Sequence, residues 1–378
     1  MGIAAIIILA AALVAVIVIR KAKKSRASRW LVPCLKMPRD SKPRSGEPVH
    51  LYVAFCNRLS PYWAGVSQEI AEHRVVTWYR EYIRFASHHA DSQGKKPVHT
   101  FFYDESDYNP RFVDTLSRMC REGIADVDIL LKHENDTPDG FRRKIEGFRD
   151  VLFHHHGLLR KDHHDRIIYG FIHGNGALNN CRPDGRFCGV NQESGILKET
   201  GCYADFTFPS APDVTQPPII NQIYFASGSP EHPAGHEQGY PAGKEAWSEK
   251  DLMLVEGPTG LNWQNRRYGI VPRVENGEIS FRRRFTPNRA KVWIDSAVHV
   301  QGAPEHLFIK LHTFGAVDST VRYLFGESGI HSLYNTLENE YGKSGNYILH
   351  YVSAYEMYRT IRSLCQGSPV YHDHHHVG

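Results

Sequence analysis

The residues best suited to chemistry recur in one kind of place, immediately after short β-rich runs. Cys56-Asn57-Arg58, Asp104-Glu105, His133-Glu134, His173-Gly174-Asn175 and His312-Thr313 each close such a run. Imidazoles and carboxylates ligate divalent metals and move protons near neutral pH. In α/β barrels the carboxyl ends of the strands surround one mouth, and the active site lies there. One strand ending in histidine is commonplace. Several strands delivering ligand-type groups to one rim predict a shared site, with His133, His173 and His312 as its imidazoles. The bland alternative is that these histidines hydrogen-bond loop backbone.

Further groups lie close by in sequence. Asp136 and Thr137 follow His133, although Asp136-Thr137-Pro138 also reads as a helix N-cap. Asp104, Glu105 and Asp205 stand near strand ends and could reach the same mouth. The stretch IHGNGALNNCRPDGRFCG, 172–189, combines glycines for close backbone approach with Asn175 and Arg182, groups of the kind that hydrogen-bond sugars. Trp263, within EGPTGLNWQNRR, can stack on a sugar ring or simply pack. Cys181 and Cys188 have no partner at zinc-finger spacing, so no structural zinc is expected there. No GxSxG, HExxH, Walker loop or GxGxxG after a strand occurs.

The elements that must position these groups alternate along the chain. Strand patterns cover 49–55, 98–103, 126–131, 166–172, 306–311 and 347–352. Helix patterns cover 67–86, 110–123, 140–153 and 356–364, with Pro110 opening the second and Gly123 ending it. Such alternation predicts an α/β fold with a mainly parallel sheet.

Composition sets the outer bounds. The chain has 378 residues, 41% apolar and 23% charged, with net charge +4. Much of that charge sits in one N-terminal cluster, so a nucleic-acid surface is not expected. The 23 histidines fall partly in runs, which read as solvated surface. Seven cysteines without a CxxC pair argue against a disulfide framework and for a reducing compartment. Residues 3–19 are apolar and uncharged, followed by Arg20, Lys21, Lys23, Lys24, Arg26 and Arg29. This predicts a transmembrane anchor at 1–20 with the rest of a single-pass membrane protein in the cytoplasm. A basic, Pro-containing linker at 21–48 follows, then an α/β domain at 49–365 with an insertion around 210–300, and a His-rich tail at 366–378.

The order of these segments resembles the polysaccharide deacetylase (NodB-like) family, with its incomplete (β/α) barrel. AFCNR (54–58), HTFFY (99–103) and HENDT (133–137) resemble its first three motifs. FIHGN (171–175), ESGILKETGCYADFTFP (193–209), LFIKLH (307–312) and GNYILHYVSAYEMYRTI (345–361) resemble its later segments. The resemblance spans about 50–365, and its motif order is stronger than any single motif. It implies metal-assisted deacetylation of an N-acetylated sugar or lipid-linked glycan. A divalent metal, zinc by preference, would be held by His133 with Asp136 or Thr137, and His312 would be the general acid. Asp104 or Glu105 would stand in for missing acids, and His173, Asn175, Arg182, Asp205 and Trp263 would meet substrate. Cys56 and Asn57 occupy the positions of the family's aspartate pair, so the first motif is degenerate. Two other readings stay open: a barrel that has lost catalysis and binds glycan or protein, and a glycoside hydrolase, which needs two carboxylates at about 5–10 Å.

Overall fold

The computed structural model describes Val16, Arg20, and residues 26–36, 48–244 and 246–370. The apolar run at 3–19, apart from Val16, lies outside them, as do 37–47 of the expected linker and the tail from 371. Among the described residues no helix is long and apolar enough to cross a membrane. That corrects the expected single-pass anchor, and the cytoplasmic orientation argued from it goes too. The expected linker also contains a helix, α1 (Ser28–Lys36). Its Trp30 is buried against Ala211 and Ile220, which holds this short segment on the domain.

From residue 49 the chain builds one mixed, mostly parallel sheet flanked by helices. In order come β1 (Val49–Leu59), α2 (Gln68–Ala86), β2 (His99–Asp104), α3 (Pro110–Arg121), β3 (Ala125–Leu131) and α4 (Pro138–His156). Then follow β4 (Arg160–Lys161), β5 (Ile167–His173), α5 (Glu193–Glu199), β6 (Cys202–Asp205), β7 (Ile223–Ala226), β8 (Gly239–Pro241) and β9 (Met253–Val255). A separate hairpin, β10 (Gly260–Arg267) and β11 (Val271–Glu275), precedes α6 (Pro287–Asp295). There follow β12 (His299–Val300), β13 (Ala303–Phe314), short helices at Asp318–Val321 and Gly329–Thr336, β14 (Tyr347–Tyr351) and the helix labelled α7 (Ala354–Gln366). Side chains cap these helices as their sequences require: Ser67 on α2, Asn109 on α3, Thr137 on α4, and a Ser353–Glu356 capping box on α7.

The strand order is β12-β13-β1-β2-β3-β5-β6-β9-β7-β8, with β14 beside β1 and β4 beside β5. β1 pairs in parallel with both β13 and β2, so the carboxyl ends of the central strands point one way. The barrel does not close. Its two edges meet at one isolated bridge, Gly243 to Gln301, where the Gln301 N–H donates to the Ala242 carbonyl at 2.8 Å. The segment expected as an insertion contributes β7, β8 and β9 to this sheet.

Strand alternation sorts the side chains into two cores. Val49, Leu51, Val53 and Phe55 pack with Trp78, Tyr82 and Phe85 of α2. Tyr52, Ala54 and Cys56 pack on the other face with Phe102, Leu130, Ile172 and Phe308. The same parity separates the first-motif pair. Cys56 lies on the inner face beside His312, its register partner, and Asn57 points to the helix layer. A Cβ on Gly315 would sit 2.2 Å from Asn57 Oδ1, so Asn57 is packed tightly against that backbone.

Candidate metal centre and the strand-end mouth

His133 follows β3 and His173 ends β5. Leu131 and His173 are register partners, so the two strands bring both rings to one place, with centroids 4.9 Å apart. Two groups from the following loop and helix complete the cluster. Cys188 lies in the stretch after β5, and Glu193 is the first residue of α5. One ligand atom from each of His133, His173, Cys188 and Glu193 falls within 4.8 Å of the others, and all four residues are buried. Gly189 lets this loop close: its φ is +103°, and a Cβ there would meet the Asp136 backbone N at 2.7 Å. The Asp136 N–H donates to the Cys188 carbonyl at 2.9 Å across that contact.

Glu193 is the hub. Its Oε1 lies 3.0 Å from His133 Nε2 and 3.7 Å from His173 Nε2. Its Oε2 accepts from the Asn179 N–H at 2.5 Å and lies 3.0 Å from Cys188 Sγ. Burial works to raise this carboxyl, but His173, His133 and Cys188 outweigh it and hold the group below its ordinary range. Burial, followed by Glu193, pushes the Cys188 thiol up, and burial lowers His173 to about 4. The pocket thus buries a carboxylate among two imidazoles and a thiol, an arrangement a cation would stabilise. His133 Nδ1 and His173 Nε2 are both buried without a hydrogen-bond partner. Thiolate, imidazole and carboxylate donors in one cluster fit a zinc-type ion.

The expected ligands Asp136 and Thr137 do different work. The Thr137 hydroxyl accepts from the Gly140 N–H at 3.1 Å and caps α4. Asp136 Oδ2 lies 3.3 Å from His133 Nδ1 and 2.8 Å from Lys144 Nζ. It therefore stands behind His133, in the position carboxylates take behind metal-binding histidines.

Beside the cluster, the inner face of the sheet forms a polar mouth. The Thr207 hydroxyl accepts from the His173 N–H at 2.9 Å and donates to Asp205 Oδ2 at 2.8 Å, while the Thr207 carbonyl accepts from Arg58 Nη2 at 2.5 Å. Burial raises Asp205 to about 6. Lys310 Nζ donates to the carbonyls of Phe206, Phe208 and Val255, and burial lowers it to about 8. His312 is buried, and burial together with Arg58, Lys310, Arg283 and Arg289 drives its pKa well down. Burial pushes the Cys56 thiol up to about 12, so it stays unreactive.

Asp104 pairs with Lys132 and accepts from Ser60 Oγ at 2.6 Å, and the partly buried Glu105 is raised by burial. Asn175 is exposed beside the cluster, with its backbone N–H on His173 Nδ1 at 3.3 Å. Arg182 turns to Asp184 at 2.7 Å. Trp263 lines a separate cavity of about 580 Å³ with Asn221, Gln264 and Lys291. The structure therefore unites His133 with His173, keeps Asp205 and His312 in the adjoining mouth, and leaves Arg182 and Trp263 elsewhere.

Sequence reasoning missed Cys188 and Glu193. Cysteine-pair spacing pointed away from Cys188, whereas a loop cysteine five residues before a glutamate that opens a helix was the available signal. It also missed Trp63, which is 53% exposed at the rim, with Lys132 Nζ 5.6 Å from its ring centroid.

No family model matches the chain, and no curated protein does. Among solved structures it is similar to a 4-alpha-glucanotransferase from Thermococcus litoralis, with a TM-score of 0.45 and 8% identity, covering 82% of this chain and 40% of that one. The chain thus spans well under half of that enzyme's length, and a likeness this distant carries no argument about the site.

Proposed function

We propose that this chain is a zinc-dependent hydrolase that removes an acyl group from an N-acetylated sugar. The observation that carries the reading is the convergence of His133, His173, Cys188 and Glu193 at the carboxyl ends of β3 and β5. When bound there, the ion would polarise the scissile carbonyl and favour a nucleophilic water. The chain's own residues would do the rest. Asp136 holds His133 in place. Arg58, half-buried beside His173 and Asp205, offers N–H donors to charge developing on the carbonyl oxygen. Water adds to the amide carbonyl, the C–N bond breaks, one proton of the water passes to the leaving nitrogen and the other to solvent, and acetate and the free amine leave.

A sugar as substrate is supported by the rim. The exposed Trp63 offers a face on which a pyranose can stack, and the partly exposed Lys132, held by the buried Ser60 and Asp104, supplies a polar partner beside it. The lipid-linked variant of this substrate loses its argument along with the anchor.

The test combines metal analysis with acetate release from N-acetylated oligosaccharides. Zinc-loaded protein should retain the metal and release acetate, and His133→Ala should abolish both. Protein that keeps no zinc after loading would sink the proposal. A second reading, a glycan-binding barrel without turnover, is favoured by the lack of any carboxylate at positions 56 and 57. It predicts oligosaccharide binding with no acetate.

A further inference from the structure

The two histidines of the cluster present themselves differently. In His133, Nε2 lies 3.0 Å from a Glu193 oxygen and Nδ1 lies 3.3 Å from the Asp136 carboxylate, the arrangement of a metal-binding imidazole with a carboxylate behind it. His173 is reversed. Its Nδ1 accepts the backbone N–H of Asn175 and that of Ala177, each at 3.3 Å. A neutral imidazole carries one proton, so His173 carries it on Nε2. That is the atom that faces Glu193, 3.7 Å away, without a hydrogen-bond partner.

To ligate through Nε2, the ring would have to shed that proton and either become an anion or place a proton on Nδ1 against two N–H groups. The turn that carries those donors is pinned. The Gly174 N–H donates to the Leu131 carbonyl at 2.8 Å, and the Gly176 N–H to the His173 carbonyl at 2.9 Å. The donors do not swing away without breaking the end of β5.

We infer that His173 stands beside the ion as an N–H donor and is not a ligand. The protein then supplies three ligands, His133, Cys188 and Glu193, and the fourth position is left to a small oxygen donor that His173 Nε2–H can reach. The inference rests on the zinc reading above. It decides the type of site, since four protein ligands close a structural zinc and three leave a catalytic one open. His173 becomes a positioning residue for whatever occupies the open position.

Zinc binding to the full chain, measured by competition with a chelator, separates these cases without any appeal to activity. His133→Ala, Cys188→Ser and Glu193→Gln should each weaken zinc by more than about a hundredfold, whereas His173→Gln, which keeps an N–H donor, should stay within about tenfold. Loss in His173→Gln equal to that in the ligand variants would overturn the inference. Zinc X-ray absorption on the unaltered protein gives a second readout that needs no variant to fold: one bound imidazole supports it, and two overturn it. If the unaltered protein binds no zinc at all, the metal reading itself fails and takes this inference with it.

Discussion

Replacing Arg289 with methionine removes the guanidinium that neutralises Glu275 in the wall behind His312. Both residues are buried, at 3% exposure each. Arg289 Nε and Nη2 donate to the two Glu275 oxygens at 2.7 and 2.6 Å. The same guanidinium donates to the carbonyls of Arg283 at 2.6 Å and Glu278 at 2.5 Å. Methionine fills much of the volume but strands a buried carboxylate and the carbonyls of Arg283, Arg284 and Glu278. Breaking one side of a buried ion pair costs about 3–5 kcal/mol. At roughly 2 °C per kcal/mol for a domain of this size, the melting temperature should fall by about 6–10 °C.

The pH dependence supplies a second check. In the unaltered protein burial works to raise Glu275, and Arg289 outweighs it, so the carboxyl lies below its ordinary range. Its contribution is therefore present above the unfolded carboxylate pKa and is lost as pH falls through the depressed folded value. In Arg289→Met burial acts without that opposition, so the variant's deficit should grow as pH rises through the carboxylate range and shrink in acid. Urea unfolding across that range measures it. Glu275→Leu in the same chain should restore most of the loss, because an apolar pair leaves no stranded charge. A deficit under about 1 kcal/mol, or one that the second substitution does not relieve, would refute the reasoning. The perturbation also reaches the mouth, since Gly277 and Ile279 exchange backbone hydrogen bonds with His312 at 3.1 and 2.8 Å.

Three other outcomes are expected. Asp128 is raised to about 7, mainly by burial and next by Asp126, so the folded state keeps a proton that the unfolded state loses near pH 4. Stability should therefore fall as pH climbs from about 4 to about 7, and Asp128→Asn should flatten that slope in urea titrations. Gly315→Ala drives a methyl into Asn57 and should cost about 1–3 kcal/mol by thermal melting, whereas adding Asn57→Ala should recover it, because Asn57 Oδ1 and Nδ2 have no hydrogen-bond partner to lose. Asp136→Asn should weaken zinc binding by about ten- to a hundredfold while leaving Thr137 to cap α4, and unchanged affinity would mean that Asp136 does not orient His133.

The mainly parallel sheet was legible because its strands are apolar runs of strand length separated by helical periodicity. His133 and His173 were legible for the same reason: a polar residue that closes a buried run declares where the strand leaves the core. Cys188 and Glu193 were not. They sit in and after a stretch without periodicity, and their approach to His133 depends on the turn at His173 and on Gly189 packing against Asp136. Asp136 was recognised as an acid near a histidine, but the distinction between ligand and orienting group lies in which nitrogen it faces. The first-motif positions show the same limit, since adjacency hides that Cys56 and Asn57 point to opposite faces. The apolar N-terminal run carried more weight as an anchor than the described residues support.

The meeting of the sheet's edges at Gly243 and Gln301 makes the molecule a strip rolled almost into a ring, with a seam of one bridge. In strand order the seam lies at the ends of the strip, while β3 and β5, which carry His133 and His173, lie at its middle. A ring shares any distortion around its whole circumference, whereas a strip can yield at its free ends and leave its centre in register. Yielding at the seam would then change the girth of the mouth without altering the spacing of His133 and His173.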